Sequence, residues 1–308
     1  MDIEEYNRRV ENEKKFYEKE KYKEDLTEKA SSGLAYVLHK FQERVRENTG
    51  SNVWDHFVSI VNEKSANNKE ARILSLGSGP GGTEMNLIKR VTGKYFMECI
   101  DINDESVKIG QDRANIEGLN LKFIQQDINK IMLQPNTYDL VFAHASLHHM
   151  INHEHISLQI KNSLKDDGLF LIYDVIVRNG MRMWDNTKDI ANSIFAKLPL
   201  KYRFNSLAIE ENKRYSESLP DTDVSIDSFE CIRSQDLYPI LKKNFKTKIE
   251  VPGFSFARRF VDIPFGENYD VENNPFDKAI IDTIVELDEK YTNSNKLKPE
   301  SIFLILGK

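Results

Sequence analysis

Cysteine is scarce in this chain: Cys99 and Cys231 are the two in 308 residues, and Cys99 falls inside an apolar run that reads as a buried strand. A disulfide framework is therefore excluded as the source of stability, and a chain of this length can bury a substantial hydrophobic core instead. Positive charge is not in excess either. Lys and Arg number 43 against 49 Asp and Glu, a formal charge of −6, which argues against a protein that neutralises a nucleic-acid backbone. No apolar run approaches the roughly 20 residues of a membrane span, and the opening MDIEEYNRRVENEKK lacks a signal peptide's apolar stretch. No internal repeat or low-complexity tract stands out. The expectation is a cytoplasmic protein with no nucleic-acid or membrane partner, a monomer or a homodimer.

Against those absences, one stretch is rich in information. In ARILSLGSGPGGTE (71–84), Ile73, Leu74 and Leu76 form a short apolar strand that runs into Gly77-Ser78-Gly79-Pro80-Gly81-Gly82. Met85, Leu87, Ile88 and Val91 then follow at helical spacing. A strand, a tight glycine turn and a helix offer free N–H groups and a positive dipole end to a flat or anionic ligand. Gly77, Gly79 and Gly82 fit the dinucleotide pattern, whereas Gly77, Gly79 and Gly81 fit the turn used for S-adenosylmethionine. An acid at the end of the next strand, Asp101, is common to both ligand classes.

Later units separate the two. Leu121 to Gln126 reads as a strand ending in Asp127-Ile128, and Tyr138 to Ala143 as another, ending in His144-Ala145-Ser146-Leu147-His148-His149-Met150. Leu164 to Asp174 closes a helix with Gly168 and enters a fifth strand. With these five pieces in order, residues 70 to 177 resemble the class I S-adenosylmethionine-dependent methyltransferase family, in its small-molecule branch with an L-H-H segment after the fourth strand. The resemblance implies an α/β fold with a doubly wound, mostly parallel seven-stranded, Rossmann-like sheet, and S-adenosyl-L-methionine as cofactor. The alternation of strands and helices independently calls for a parallel sheet with right-handed crossovers and a ligand crevice at the strands' carboxyl ends.

By the same resemblance, Ser75, Gly77, Ser78, Gly79 and Gly81 approach the methionine part of the cofactor. Asp101 with Ile102 takes the ribose, Asp127 with Ile128 takes the adenine, and His144 borders the site. Ser75 departs from the family, which usually carries an acid there; Glu84 or Asp139 is the candidate replacement. Five histidines crowd positions 144 to 155, and His144/His148 and His149/His153 have i, i+4 spacing if the segment is helical. His149, His148 or His144 is a candidate base for a hydroxyl acceptor, against an ordinary capping or packing role. No cysteine or acid cluster lies at ligand spacing nearby, so no metal is expected.

The chain divides into an N-terminal helical lid or packing segment (1–68), the cofactor-binding core (69–177), a helical insertion that caps the acceptor (178–244), and the last two strands with an inserted loop and helix (245–308). Tyr17, Tyr22 and Tyr36 are candidate lid residues. A weaker resemblance, to bacterial methyltransferases of surface-polysaccharide or secondary-metabolite clusters, makes Arg178, Trp184, Arg203 and Arg233 candidate acceptor-lining residues. The implied reaction is methyl transfer to a small-molecule hydroxyl, with N-methylation, a non-catalytic cofactor binder and a nicotinamide-dependent oxidoreductase as alternatives.

Overall fold

The computed structural model describes residues 1–17 and 30–308. Its centre is a seven-stranded sheet in the order β3-β2-β1-β4-β5-β7-β6. These strands are β1 Glu70–Leu76, β2 Lys94–Asp101, β3 Leu121–Gln125, β4 Tyr138–His144, β5 Leu164–Val175, β6 Lys246–Pro252 and β7 Ser301–Gly307. The first five are parallel, and β7 lies antiparallel between β5 and β6. Central strands carry unbroken apolar runs because helices cover both faces: Leu140, Val141, Phe142 and Ala143 of β4 are all buried.

Helices α1 Ile3–Tyr17, α2 Ser32–Thr49 and α3 Val53–Lys64 precede the sheet, and α4 Gly82–Ile88, α5 Asp104–Glu117 and α6 His153–Ser163 alternate with its strands. The capping chemistry is visible in the sequence. Ser31, Asn52 and Asn103 each accept a backbone N–H of the first turn, and Gly50 and Gly118 end α2 and α5 in the left-handed conformation. Phe41 and Val45 of α2 and Phe57 and Val61 of α3 are buried in one cluster with β1 and β4, as the apolar faces require.

Because β2 and β4 flank β1, successive strands leave β1 in opposite directions and a crevice opens above its carboxyl end. Two local expectations are corrected. Gly168 does not close a helix: β5 begins at Leu164 directly after α6, and Gly168 lies within it, where a Cβ would stand 2.8 Å from the Tyr138 carbonyl oxygen. Residues 178–244 are less helical than expected, with α7 Asp185–Phe195 and α8 Ser234–Asn244 separated by short 3-10 turns and irregular chain. The last helix, α9 Pro275–Asn293, packs against α2 beside the returning β7.

Candidate active site

The three glycines of the turn after β1 have different work to do. Gly79 has φ +53°, and a Cβ there would meet nothing within 4 Å, so its bare backbone faces open space. Gly77 has φ +71° and lies so close to the segment after β4 that a Cβ would come within 2.5 Å of that of Ser146. Ser146 seals this approach by donating its hydroxyl to the Leu76 carbonyl at 2.7 Å. Gly81 is packed against Phe123 and caps α4. Gly77, Ser78 and Gly79 line a cavity of about 670 Å³, whereas Gly81 lies behind it.

Asp101, at the end of β2, anchors the turn: its two oxygens accept the N–H groups of Gly79 and Asn103, at 2.8 and 2.9 Å. Burial raises its carboxyl pKa and these two amides oppose the rise. Asp101, Ile102, Asp127 and Ile128 all line the cavity. Ser75 does not; its hydroxyl donates at 2.7 Å to the buried Glu84 of α4, which lies outside the lining as well. Asp139, the other candidate, is engaged by the Arg72 amide and Lys165.

Helix α1 lies against this cavity. The Tyr6 hydroxyl donates to Asp127 at 2.6 Å, the Lys14 carbonyl accepts from Asn103, and Glu13 and Lys14 join the lining. On its other side Arg9 donates to the Ser225 and Ser228 carbonyls. The helix thus bridges the cofactor side of the core and the chain before α8. Of the suggested lid tyrosines, Tyr36 instead faces α9 through Asp282, Tyr17 is the last residue of α1, and Tyr22 lies outside the described residues.

The histidine segment is not a continuous helix, so the i, i+4 pairs are not formed. His144 ends β4 and stacks on Tyr173 with ring centres 5.3 Å apart, with Trp54 edge-on at 5.0 Å. His148 and His149 follow on a 3-10 turn with ring centres 4.2 Å apart. The Asp174 carboxylate, at the end of β5, accepts the Ser146 and Leu147 amides and holds His148 Nδ1 at 2.5 Å. Burial disfavours a charged His148, but Asp174 and then Glu230 outweigh it and lift its pKa to about 10. His149 Nδ1 lies 2.8 Å from Glu13, and each imidazole has its Nε2 3.5 Å from an oxygen of Glu230. His144 and His149 line the cavity; His148 is buried behind them. His153 and His155 turn away to the carbonyls of Arg233 and Ile131.

The far end of the cavity is built by residues that the sequence did not bring forward. After β6, the arm 253–262 contributes Phe254, Phe256, Arg258, Arg259 and Asp262. Asp288 of α9 fixes this arm by accepting the amides of Ser255, Phe256 and Ala257. Arg259 donates to Glu300 at 2.6 Å, and Arg258 pairs with Asp262 at 3.5 Å. Arg258 lines the cavity with 41% of its side-chain surface accessible. The signal was present: two adjacent arginines inside the otherwise apolar FSFARRFV. Arg178, Trp184, Arg203 and Arg233 lie outside the lining. Arg178 pairs with Asp185, Arg233 with Glu154 and Asp236, and Trp184 stacks under Lys298. From 178–244 the lining residues are Met181 and Phe229.

A family model described as a methyltransferase domain matches residues 67–244. The sterol 24-C-methyltransferase of Gibberella zeae is 30% identical over 117 residues, which cover 37% of this chain and 30% of that protein. A ubiquinone/menaquinone biosynthesis C-methyltransferase of Blochmanniella pennsylvanica is 30% identical over 109 residues, covering 35% and 43%. This chain therefore matches less than half the length of these two relatives. Among solved structures, phosphoethanolamine N-methyltransferase 2 of Haemonchus contortus, in complex with S-adenosyl-L-methionine, is similar with a TM-score of 0.48 and 15% identity, over 96% of this chain and 59% of that one. No helix of the described residues is long and apolar enough to cross a membrane. The glycine turn, the acids ending β2 and β3 and the family match over more than half of the chain converge: it belongs to the class I S-adenosylmethionine-dependent methyltransferases.

Proposed function

We propose that this protein transfers a methyl group from S-adenosyl-L-methionine to a hydroxyl of a small molecule, a sugar or secondary metabolite being the class considered. The observation that carries the reading is the single cavity that runs from the glycine turn and Asp101 to a chamber lined by His144, His149, Tyr173 and Arg258. The residues at the near end fit the cofactor. Gly79 leaves its backbone uncovered, and each Asp101 oxygen keeps a lone pair for a ribose hydroxyl after accepting one amide. Asp127 and Ile128 suit an adenine edge and face.

When bound, the cofactor supplies an already activated methyl group. The chain's part is to orient the acceptor, exclude water and remove a proton. The chamber walls, Phe41, Trp54, Phe254 and Phe256, provide apolar enclosure, and α1 covers the cofactor side. His149, with Glu13 behind its Nδ1, is the lining group suited to take the hydroxyl proton. The burial of Tyr173, which pushes its phenol up to about 12, leaves it a hydrogen-bond donor to the acceptor and not a base.

The test is calorimetric binding of S-adenosylmethionine to the full chain, followed by detection of S-adenosylhomocysteine with a panel of hydroxylated acceptors. Quinols and sterols belong on the same panel, since the curated relatives are named as C-methyltransferases. Cofactor binding with turnover of a hydroxyl acceptor is expected; turnover confined to carbon acceptors would replace the oxygen reading, and no cofactor binding would end both.

A further inference from the structure

We infer that His148, His149 and Glu230 form a binding site for one divalent first-row transition-metal ion in the wall of the acceptor chamber. The three side chains come from two distant parts of the sequence, the turn after β4 and the chain just before α8. One nitrogen of each imidazole and a Glu230 oxygen lie within 4.8 Å of one another. His148 Nε2 is 3.5 Å from Glu230 Oε1 and His149 Nε2 is 3.5 Å from Oε2. That spacing is too long for a good N–H···O hydrogen bond, which spans about 2.7–3.2 Å. It is close to the separation of about 3.3 Å between two ligands that each lie about 2.0–2.1 Å from a tetrahedral ion.

The opposite ring nitrogens point to the same conclusion. His148 Nδ1 is held by Asp174 at 2.5 Å, and His149 Nδ1 lies 2.8 Å from Glu13. Metal-ligating histidines characteristically present one nitrogen to the ion and give the other to a carboxylate, which fixes the tautomer and raises the basicity of the ligand. His148 has that arrangement with Asp174, whereas Glu13 stands close to His149 Nδ1 without a hydrogen bond, and the Nε2 atoms of both rings converge on a third carboxylate. Asp174, Glu13 and Glu230 bring three carboxylates to the two imidazoles. Two imidazoles and one carboxylate suit zinc, iron or cobalt better than magnesium or calcium.

The backbone on both sides is bent to make this meeting. Ala145, ahead of the histidines, and Cys231, directly after Glu230, have φ of +48° and +50°, a conformation that non-glycine residues adopt at a cost of order 1–3 kcal/mol. Glu230 keeps 32% of its side-chain surface accessible, which gives an ion a way in. The donor set stands on this geometry. On the function proposed above, a bound ion would replace His149 as the means of proton removal: with Nε2 on the metal the imidazole is no longer a base, and the ion would lower the pKa of a coordinated hydroxyl so that it releases its proton to water.

The experiment uses the full chain freed of metal by chelation and then dialysed against Zn²⁺, with bound metal counted by elemental analysis, and Co²⁺ as a spectroscopic probe. One Zn²⁺ per chain is expected, with visible Co²⁺ bands that Zn²⁺ displaces. Glu230→Gln and His149→Ala should each weaken Zn²⁺ binding by at least about 100-fold, beyond the 10–100-fold typical of losing a supporting partner; Glu13→Gln should fall in that lower range. Melting temperature identifies any variant that fails to fold. No stoichiometric uptake by the parent, or uptake unchanged in both ligand variants, overturns the site. S-adenosylmethionine binding measured on the metal-free chain keeps the two readings apart. Its absence would sink the methyl-transfer reading and leave the metal site standing, whereas cofactor binding without metal uptake would do the reverse.

Discussion

One carboxylate ties the glycine turn to the space it opens on. Asp101 accepts the Gly79 amide and still faces the cavity, so it both shapes the turn and is available to a ligand. Replacing it by Ala should weaken S-adenosylmethionine binding by about 1.5–3 kcal/mol, roughly 10–150-fold in Kd, with a smaller loss of stability. Titration calorimetry decides the matter; an unchanged Kd would leave Asp101 a structural anchor alone. Glu300 makes a second prediction. Burial raises its pKa to about 7 even though Arg259 opposes the rise, and its Oε1 has no hydrogen-bond partner. Between about 4.5 and 7 the folded chain therefore keeps a proton that the unfolded chain has released, and stability falls as pH rises through that window. Glu300→Gln should flatten this decline, which is on the order of 3 kcal/mol. Urea denaturation of both proteins at pH 5 and pH 8 measures it, and parallel pH dependence in the two would show that Glu300 is not its source.

At the scale of the element, the arm 253–262 has little regular structure of its own and borrows its shape from α9 through Asp288. Asp288→Ala leaves three backbone N–H groups without that acceptor, and the expected cost is about 3 kcal/mol or more. A loss below about 1 kcal/mol in equilibrium unfolding would mean that other contacts hold the arm. The same element marks the limit of what the sequence disclosed. The turn after β1 and the placing of Asp101 and Asp127 at the crevice were readable because each is a local signal: a glycine pattern, or an acid ending an apolar run. The missing acid at Ser75 was plain in the sequence, but the hydrogen bond that ties it to Glu84 away from the cavity was not. The chamber was not. Glu13, Glu230, Arg258 and Glu300 meet the core across more than eighty residues of sequence, and no periodicity encodes such a meeting. The four residues proposed for the acceptor failed for the complementary reason: an arginine or tryptophan in an insertion looks the same whether it faces a cavity or, like Arg233, ties α8 to α6.

For the whole molecule, a ligand that binds the native state alone stabilises it by mass action. S-adenosylmethionine at 100 times its Kd should add about 2.7 kcal/mol, a rise in Tm of roughly 3–5 °C for a protein of this size. A nicotinamide dinucleotide should produce no comparable shift in differential scanning fluorimetry. A larger shift with the dinucleotide would contradict the family assignment at its most basic level.

The position of β7 sets a timetable for the chain's synthesis. β6 reaches the sheet only through β7, which separates it from β5. On a ribosome, the five parallel strands that frame the cofactor crevice can therefore assemble while β6, although already made, has nothing to pair with. Translation at about 5–20 residues per second leaves β6 waiting roughly 2–10 s for Ser301–Gly307 to follow. During that interval β5 presents an open, strongly apolar edge, the surface on which a nascent-chain chaperone would act.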